Sequence, residues 1–425
     1  MTTHPLTLNR RQALNRVAVA AMAFTNPLRV RAADLPALPS QHLPQTDANT
    51  YWTRIRQDQF LLPDDRIFLN NGSLGVTPRP VLQAMTSYLE RAAAMDMEET
   101  PRWGYETLDP ERSEFAEFLG CQKDELAFTH NCTEAMSTIA NGLDLQAGDE
   151  VILTNQEHAG GTMCWRVQEK RRGIRVRVVE IPVTPREPGE ITDRLISAIG
   201  PRTRVLSFSG IITTTGLILP VKQICQSAQE KGVISVVDGA HMDGQMPVNL
   251  RELGCDYFAG SPHKWMFAPA GCGFLYGRNN LLDRLWPAIA SARWDDKEQL
   301  KSARFMMVGT NNRAIFEGMM AGLRFLKSLG PDAVYARLQH LANLVVRLAK
   351  ERSYLELISS DDPRFYQAIA KVRFKSQNIQ PVLDALKRNK IIFLGGNEIR
   401  LSAHIHTRPS DIETFFAVCD KVARA

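Results

Sequence analysis

Seven short apolar runs rich in β-branched residues, at 126–129, 151–154, 176–181, 205–209, 233–238, 257–260 and 273–276, constrain this chain more than any other feature. Segments of helical character lie among them, at 133–142, 160–172, 193–199 and 221–231, with another ahead of them at 80–94. Strands that are apolar throughout need cover on both faces, and parallel neighbours need a crossover, which these helices supply. The pattern predicts an α/β fold: a mostly parallel seven-stranded sheet with helices on both faces. Beyond about residue 310 it gives way to long helices at 312–329 and 334–353, then short strands near 368–374 and 391–402. That is the pattern of a smaller α+β domain, closed by a helix that Ser410 and Glu413 would open as a capping box.

A chain of 425 residues exceeds what one hydrophobic core usually serves, which agrees with two domains. The expected organisation is a leader at 1–33, an arm and helix at 34–65, a large domain at 66–310 and a small one at 311–425. No apolar run approaches the roughly 18 residues of a membrane span, so no stable membrane association is expected. The seven cysteines are scattered without a CxxC pair, which disfavours a zinc ribbon or a disulfide scaffold. His404 and His406 alternate on one strand, but two imidazoles do not make a metal site. No metal is expected.

The net charge of +5 is a local matter. Residues 1–33 hold Arg10, Arg11, Arg16, Arg29 and Arg31 and no acid, so the remainder carries 46 basic and 46 acidic residues. A balanced body gives no reason to expect nucleic acid as a partner. The leader joins a basic head to a short apolar run from Val17 to Phe24 and then small residues, the parts of an export signal. Its adjacent arginines resemble a twin-arginine signal, which implies the twin-arginine export machinery as a partner and a periplasmic location. Ala13 stands where Phe is common, and Arg29 and Arg31 lie near the cleavage point. A basic tail or a mitochondrial-type leader is the alternative, with a cytoplasmic protein if no export occurs.

Chemistry concentrates in Cys255-Asp-Tyr-Phe-Ala-Gly-Ser-Pro-His-Lys-Trp265, followed by Gly271-Cys-Gly-Phe-Leu275. A lysine between a strand end and a Gly-rich apolar strand is unusual, because lysine is rarely buried without a partner. Its amine becomes useful when a cofactor aldehyde captures it as a Schiff base. Ser261 and His263 beside Lys264 are donors suited to a phosphate. Upstream, Val236-Val237-Asp238 ends an apolar strand in a carboxylate, well placed to hold the protonated nitrogen of a pyridine ring.

These segments resemble the class V aminotransferase family of fold type I pyridoxal-phosphate enzymes, and within it the isopenicillin N epimerase-like proteins. The resemblance runs from about residue 65 to 415, with Pro262 standing where a small residue is usual. It implies pyridoxal 5′-phosphate as cofactor, Lys264 as its anchor and general base, and Asp238 as partner of the ring nitrogen. It further implies that Cys132 and Thr133, opening a helix after Asn131, receive the phosphate. His158 would stack on the ring, His241 would reach the ring phenolate, and Thr213 would sit near the same oxygen. Gly309 and Thr310 match a segment lent across a homodimer to the neighbour's phosphate. Arg400 matches the arginine that grips a substrate carboxylate, a task suited to its planar fork. Asn71 and Gly72 lie in the loop that lines the substrate pocket. The implied substrate is a small-molecule amino acid or a peptide bearing an amino group, acted on at its α-carbon by transamination or epimerisation. Persulfide-forming desulfuration needs a loop cysteine shortly before that arginine, and none occurs between Cys272 and Cys419. Sulfur elimination without a protein thiol, and a non-catalytic use of the fold, are the other readings.

Overall fold

The computed structural model describes residues 48–376 and 378–423; the expected leader, and the arm up to residue 47, lie outside the described residues. The strands are β1 (Ile67–Phe68), β2 (Leu126–Thr129), β3 (Glu150–Thr154), β4 (Arg175–Val179), β5 (Thr203–Ser209), β6 (Ile234–Asp238), β7 (Tyr257–Gly260) and β8 (Gly273–Gly277), then β9 (Leu355–Leu357), β10 (Ile369–Phe374), β11 (Ile391–Ile392), β12 (Leu394–Gly395) and β13 (Glu398–Ser402). Strands β2 to β8 form one sheet in the order β2-β8-β7-β6-β5-β3-β4. Only β8 runs against the rest, antiparallel to both β2 and β7. The expected mostly parallel seven-stranded sheet is therefore present, with a reversed strand next to its edge.

Burial follows from that position. β2, β5, β6, β7 and β8 are buried along nearly their whole length, whereas the edge strand β4 exposes Arg175, Arg177 and Val178. β4 also stops at Val179, two residues short of the expected end, where the Val179 carbonyl takes the N–H of Asn155. The connections leave β3 outward to β4 and then return inward to β5, so the chain reverses direction beside β3. A crevice at the carboxyl ends of the strands, beside such a reversal, is where α/β sheets place ligands.

The second sheet has the order β12-β13-β10-β9 and is antiparallel throughout. One of its faces, with Ala370, Val372, Phe374, Ile399 and Leu401, packs into its own apolar core under helices Pro331–Lys350 and Pro409–Ala423. The last helix begins at Pro409, ahead of the expected Ser410 cap, and the Asp411 carboxylate accepts the N–H of Arg408 instead. Strand β9 was not expected. The early strand β1 pairs in parallel with β11, and the segment that follows is stitched to β13 through Asn71 N–H to the Ser402 carbonyl (3.0 Å) and Ser402 N–H to the Leu69 carbonyl (2.9 Å). Among the described residues no helix is long and apolar enough to cross a membrane.

Candidate active site

Five loops leave the carboxyl ends of β2, β3, β5, β6 and β7 on one edge of the large sheet, and each carries a residue expected at the site. They surround a cavity of about 540 Å³ whose lining includes Cys132, Thr133, His158, Thr213, Asp238, Ser261, His263 and Lys264. Gly72 and Arg400 close it from the side of the small sheet. His241, Asn71, Gly309 and Thr310 are not part of that lining.

Lys264 sits on the one-turn helix Pro262–Trp265, immediately after β7. Its Nζ lies 3.2 Å from His241 Nε2. Burial lowers its pKa from that of a free lysine, against the opposing pull of Asp238. A neutral amine is what nucleophilic capture of an aldehyde requires. Behind the lysine, Asn71 does not face the cavity: it is buried, and its Nδ2 donates to the Lys264 carbonyl at 2.7 Å.

Asp238 ends β6 as a buried carboxylate. Its Oδ1 accepts from the Cys132 thiol (3.2 Å) and from the Ala240 N–H (3.1 Å), neither of which carries positive charge. Burial together with Asp238 drives the Cys132 pKa well upward, so this cavity cysteine stays a thiol. Helix Ala159–Arg172 approaches so closely that a Cβ on Gly161 would lie 2.6 Å from Asp238 Oδ2. Glycine is required there for space.

Two helix N-termini face the cavity. Asn131 caps helix Cys132–Gly142 by accepting the Glu134 N–H, and the Cys132 N–H goes to Ser261 Oγ at 3.3 Å. The Ser261 hydroxyl keeps its own proton to donate. His263 differs from expectation as a phosphate donor. Its Nδ1 lies 2.8 Å from the Cys272 carbonyl and must be the protonated nitrogen, while burial lowers its pKa, so its one N–H is already used. His158 caps helix Ala159–Arg172 with Nδ1 accepting the Gly160 N–H at 3.0 Å, which leaves the proton on Nε2.

The tautomer of His241 is fixed in the same way. Trp265 Nε1, which can only donate, lies 3.2 Å from His241 Nδ1. His241 therefore carries its proton on Nε2, directed at Thr213 Oγ1 (2.9 Å), with Lys264 Nζ beside the same nitrogen. Burial and the Lys264 charge push its pKa well below the usual imidazole value, so it is a neutral donor. Trp265 is itself held by stacking on His404, whose Nε2 lies 3.1 Å from the Trp265 carbonyl. Trp265, Gly161 and the half-buried Glu157, pushed up to about 7 by desolvation between the Thr154 and Ser209 hydroxyls, are residues that the sequence did not single out.

Arg400 lies on β13 and is buried. Its hydrogen bonds go to Thr213 (carbonyl 3.0 Å, Oγ1 3.1 Å), Asn70 Oδ1 (2.9 Å) and Ser73 Oγ (2.7 Å), all neutral acceptors. Its buried Nε has no hydrogen-bond partner among the described residues. A cation held out of water by neutral groups calls for an anion from outside. The Gly72 N–H donates to Ser402 Oγ at 2.9 Å, and a Cβ on Gly72 would come within 3.4 Å of the guanidinium. Gly309 and Thr310 precede helix Ala314–Leu329, with open space around the Gly309 Cβ position. Among the described residues no three His, Cys, Asp or Glu side chains gather as metal ligands.

The donor set fits pyridoxal phosphate. It offers an amine for the aldehyde, a buried carboxylate whose hydrogen-bond partners are neutral for the ring nitrogen, the Thr213–His241 pair beside the lysine for the ring oxygen, and a helix N-terminus with Thr133 and Ser261 hydroxyls for the phosphate. The comparisons with known proteins agree. The family model described as aminotransferase class-V matches residues 67–413. Isopenicillin N epimerase of Streptomyces clavuligerus is 30% identical over 387 residues, covering 85% of this chain and 96% of the relative. A probable cysteine desulfurase of Methanothermobacter thermautotrophicus is 31% identical over 292 residues, covering 65% and 70%. The solved complex of the cystine C-S lyase C-DES with cysteine persulfide superposes with a TM-score of 0.77 at 22% identity, covering 84% of this chain and 98% of that one, a likeness of fold. This chain belongs to the aminotransferase class-V family, the pyridoxal-phosphate fold type I group to which its lysine, aspartate and arginine segments pointed.

Proposed function

We propose that this chain acts with pyridoxal 5′-phosphate on the α-carbon of an amino acid or a peptide-borne amino group, as an epimerase or a transaminase. The observation that carries the reading is Arg400: a buried guanidinium, bonded only to neutral groups, on the wall of the cavity that also holds Lys264. Bound to Lys264, the cofactor would supply an electron sink for the pair released when a bond to the α-carbon breaks. Thr133 and Ser261 would hold its phosphate, Asp238 its ring nitrogen, and His241 with Thr213 its ring oxygen. Arg400 grips the substrate carboxylate and so fixes which α-carbon bond faces Lys264. Lys264, its amine free again, would take the α-proton from the face it occupies; transamination would return that proton to a carbon of the cofactor, and epimerisation would need a proton delivered to the α-carbon from the opposite face.

Two further expectations belong to the same reading. The working unit is a two-fold dimer in which Gly309 and Thr310 serve the neighbour's phosphate, which suits their place outside their own chain's cavity. The leader directs the folded, loaded enzyme to the periplasm. Sulfur elimination without a protein nucleophile is the second reading. Within sulfur chemistry it is preferred to persulfide formation, because burial and Asp238 keep Cys132, which lines the cavity, a thiol. The deciding experiment incubates the loaded protein with amino acids and peptides in deuterated water, followed by mass spectrometry. Deuterium at the α-carbon, or the keto acid that keeps the substrate's own side chain, absent with Lys264→Ala, supports the reading; neither in any reaction overturns it. Release of sulfide or persulfide from cystine or cysteine together with pyruvate and ammonia favours the second.

A further inference from the structure

The cavity face of the small sheet presents its polar residues in a graded row. Across β10 and β13, Ile369 opposes Ser402, Lys371 opposes Arg400, and Arg373 opposes Glu398. Ser402 and Arg400 are buried, and side-chain exposure then rises to 18% at Lys371, 32% at Glu398 and 41% at Arg373. The row thus runs outward from the carboxylate-binding arginine to solvent, and Lys371 is the next group along it. Lys371, Glu398 and Arg400 line the same cavity as Lys264, with Leu394 of β12 on the other flank of Arg400.

A cross-strand ion pair is usually an ordinary surface contact. Three observations set this one apart. The pair faces the cavity instead of the open surface. Glu398 does not need Lys371 for neutralisation, because Arg373 already grips its Oε1 through Nε (2.8 Å) and Nη2 (2.5 Å). Glu398 meets Lys371 through its other oxygen, Oε2, which occupies one of the three ammonium donors and leaves two. Glu398 therefore acts as a bracket that aims Lys371.

We propose that Lys371 is a second substrate anchor, taking a carboxylate carried on the substrate's side chain, so that the preferred substrates are acidic amino compounds with two carboxylates. Directly opposed residues of an antiparallel pair have Cα atoms only about 4.5–5.5 Å apart, so one short dicarboxylic molecule spans Arg400 and Lys371. A basic side chain meets like charge there, and an apolar one leaves Lys371 desolvated with two donors unused. This deepens the α-carbon reading and rests on it.

The test measures α-proton exchange of L-glutamate, L-glutamine and L-norvaline, with KM and kcat separated, in the loaded wild type, Lys371→Met and Lys371→Arg. Wild type is expected to favour glutamate over norvaline roughly ten- to hundredfold in kcat/KM, the worth of a charge-assisted hydrogen bond. Lys371→Met brings glutamate down to the level of norvaline, mainly through KM, and Lys371→Arg restores most of the gap. Glutarate, which has both carboxylates and no amine, competes in wild type and loses potency in Lys371→Met, a readout independent of turnover. If glutamine does as well as glutamate, the group recognised is a carbonyl oxygen, and the acidic-substrate proposal falls. Exchange that ignores the side-chain carboxylate, or survives Lys371→Met with the preference intact, also overturns it while leaving the α-carbon reading standing. No exchange with any amino acid or peptide overturns both.

Discussion

Replacing Gly161 by alanine isolates the Asp238 contact by sterics alone. The added Cβ would lie 2.6 Å from Asp238 Oδ2, about 0.8 Å inside ordinary contact at 3.4 Å. The carboxylate cannot turn away freely, because its Oδ1 is tied to the Cys132 thiol and the Ala240 N–H. The strain must therefore go into a displacement of Asp238 or of helix Ala159–Arg172, by most of an ångström. Misplacement on that scale costs about a hundredfold in turnover when the displaced group orients a reacting one. The helix itself prefers alanine by roughly 1 kcal/mol, so the melting temperature of the cofactor-free protein should fall far less than a core clash would suggest. Gly189→Ala is the control, since nothing lies within 4 Å of its Cβ position. The assay is α-proton exchange on a substrate found by the deuterium screen, alongside cofactor affinity from the visible band. If kcat for Gly161→Ala matches that of Gly189→Ala, Asp238 does not govern the ring nitrogen from this position.

Trp265→Phe removes the donor that fixes His241, so the pH midpoint of the cofactor's visible band should rise; an unchanged titration would dismiss the tautomer lock. Arg400→Gln should raise KM by roughly a hundredfold or more while retaining the visible band, because a charged hydrogen-bonded pair is lost at a desolvated site; an unchanged KM would move the carboxylate site elsewhere. Because burial lowers the Lys264 pKa, cofactor capture by the apoprotein should rise with pH and level off below the titration range of a free lysine, and a midpoint at the ordinary value would contradict the buried amine. Arg10→Lys with Arg11→Lys should leave an uncleaved, active protein in the cytoplasm, whereas a wild type found unprocessed in the cytoplasm would end the export idea.

The large sheet was legible because buried strands have little freedom in composition: β2, β5, β6 and β7 are built on apolar residues, with only small polar side chains such as Ser207 and Ser235 buried among them. Direction was not legible, since β8 is as apolar as β2 and β7 on either side of it and only pairing reveals that it runs backward. The three-residue β9 carries too little pattern to detect. At the site, Lys264, Asp238 and Arg400 could be found because chemistry restricts the residue type. Asn71 was visible as a pocket-loop residue, but its contact with the Lys264 carbonyl spans 193 positions and has no local signature. His263 shows the complementary case: residue type suggested a donor, and the Cys272 carbonyl already accepts its one N–H.

The stitching of residues 69–73 to the C-terminal strand has a consequence for biogenesis. Arg400 meets Asn70 across 330 positions, Gly72 meets Ser402 across 330, and Asn71 supports the lysine's own peptide. A nascent chain still lacking its last strand has the lysine and Asn71, but neither the strand that holds the Asn71 segment in place nor the anion-binding wall. Contacts of such long range form late, after loop closure has been overcome. Bound colour is therefore a gauge of completed folding, readable during synthesis or refolding without an activity assay, and a chain truncated before β13 should stay pale however much cofactor surrounds it.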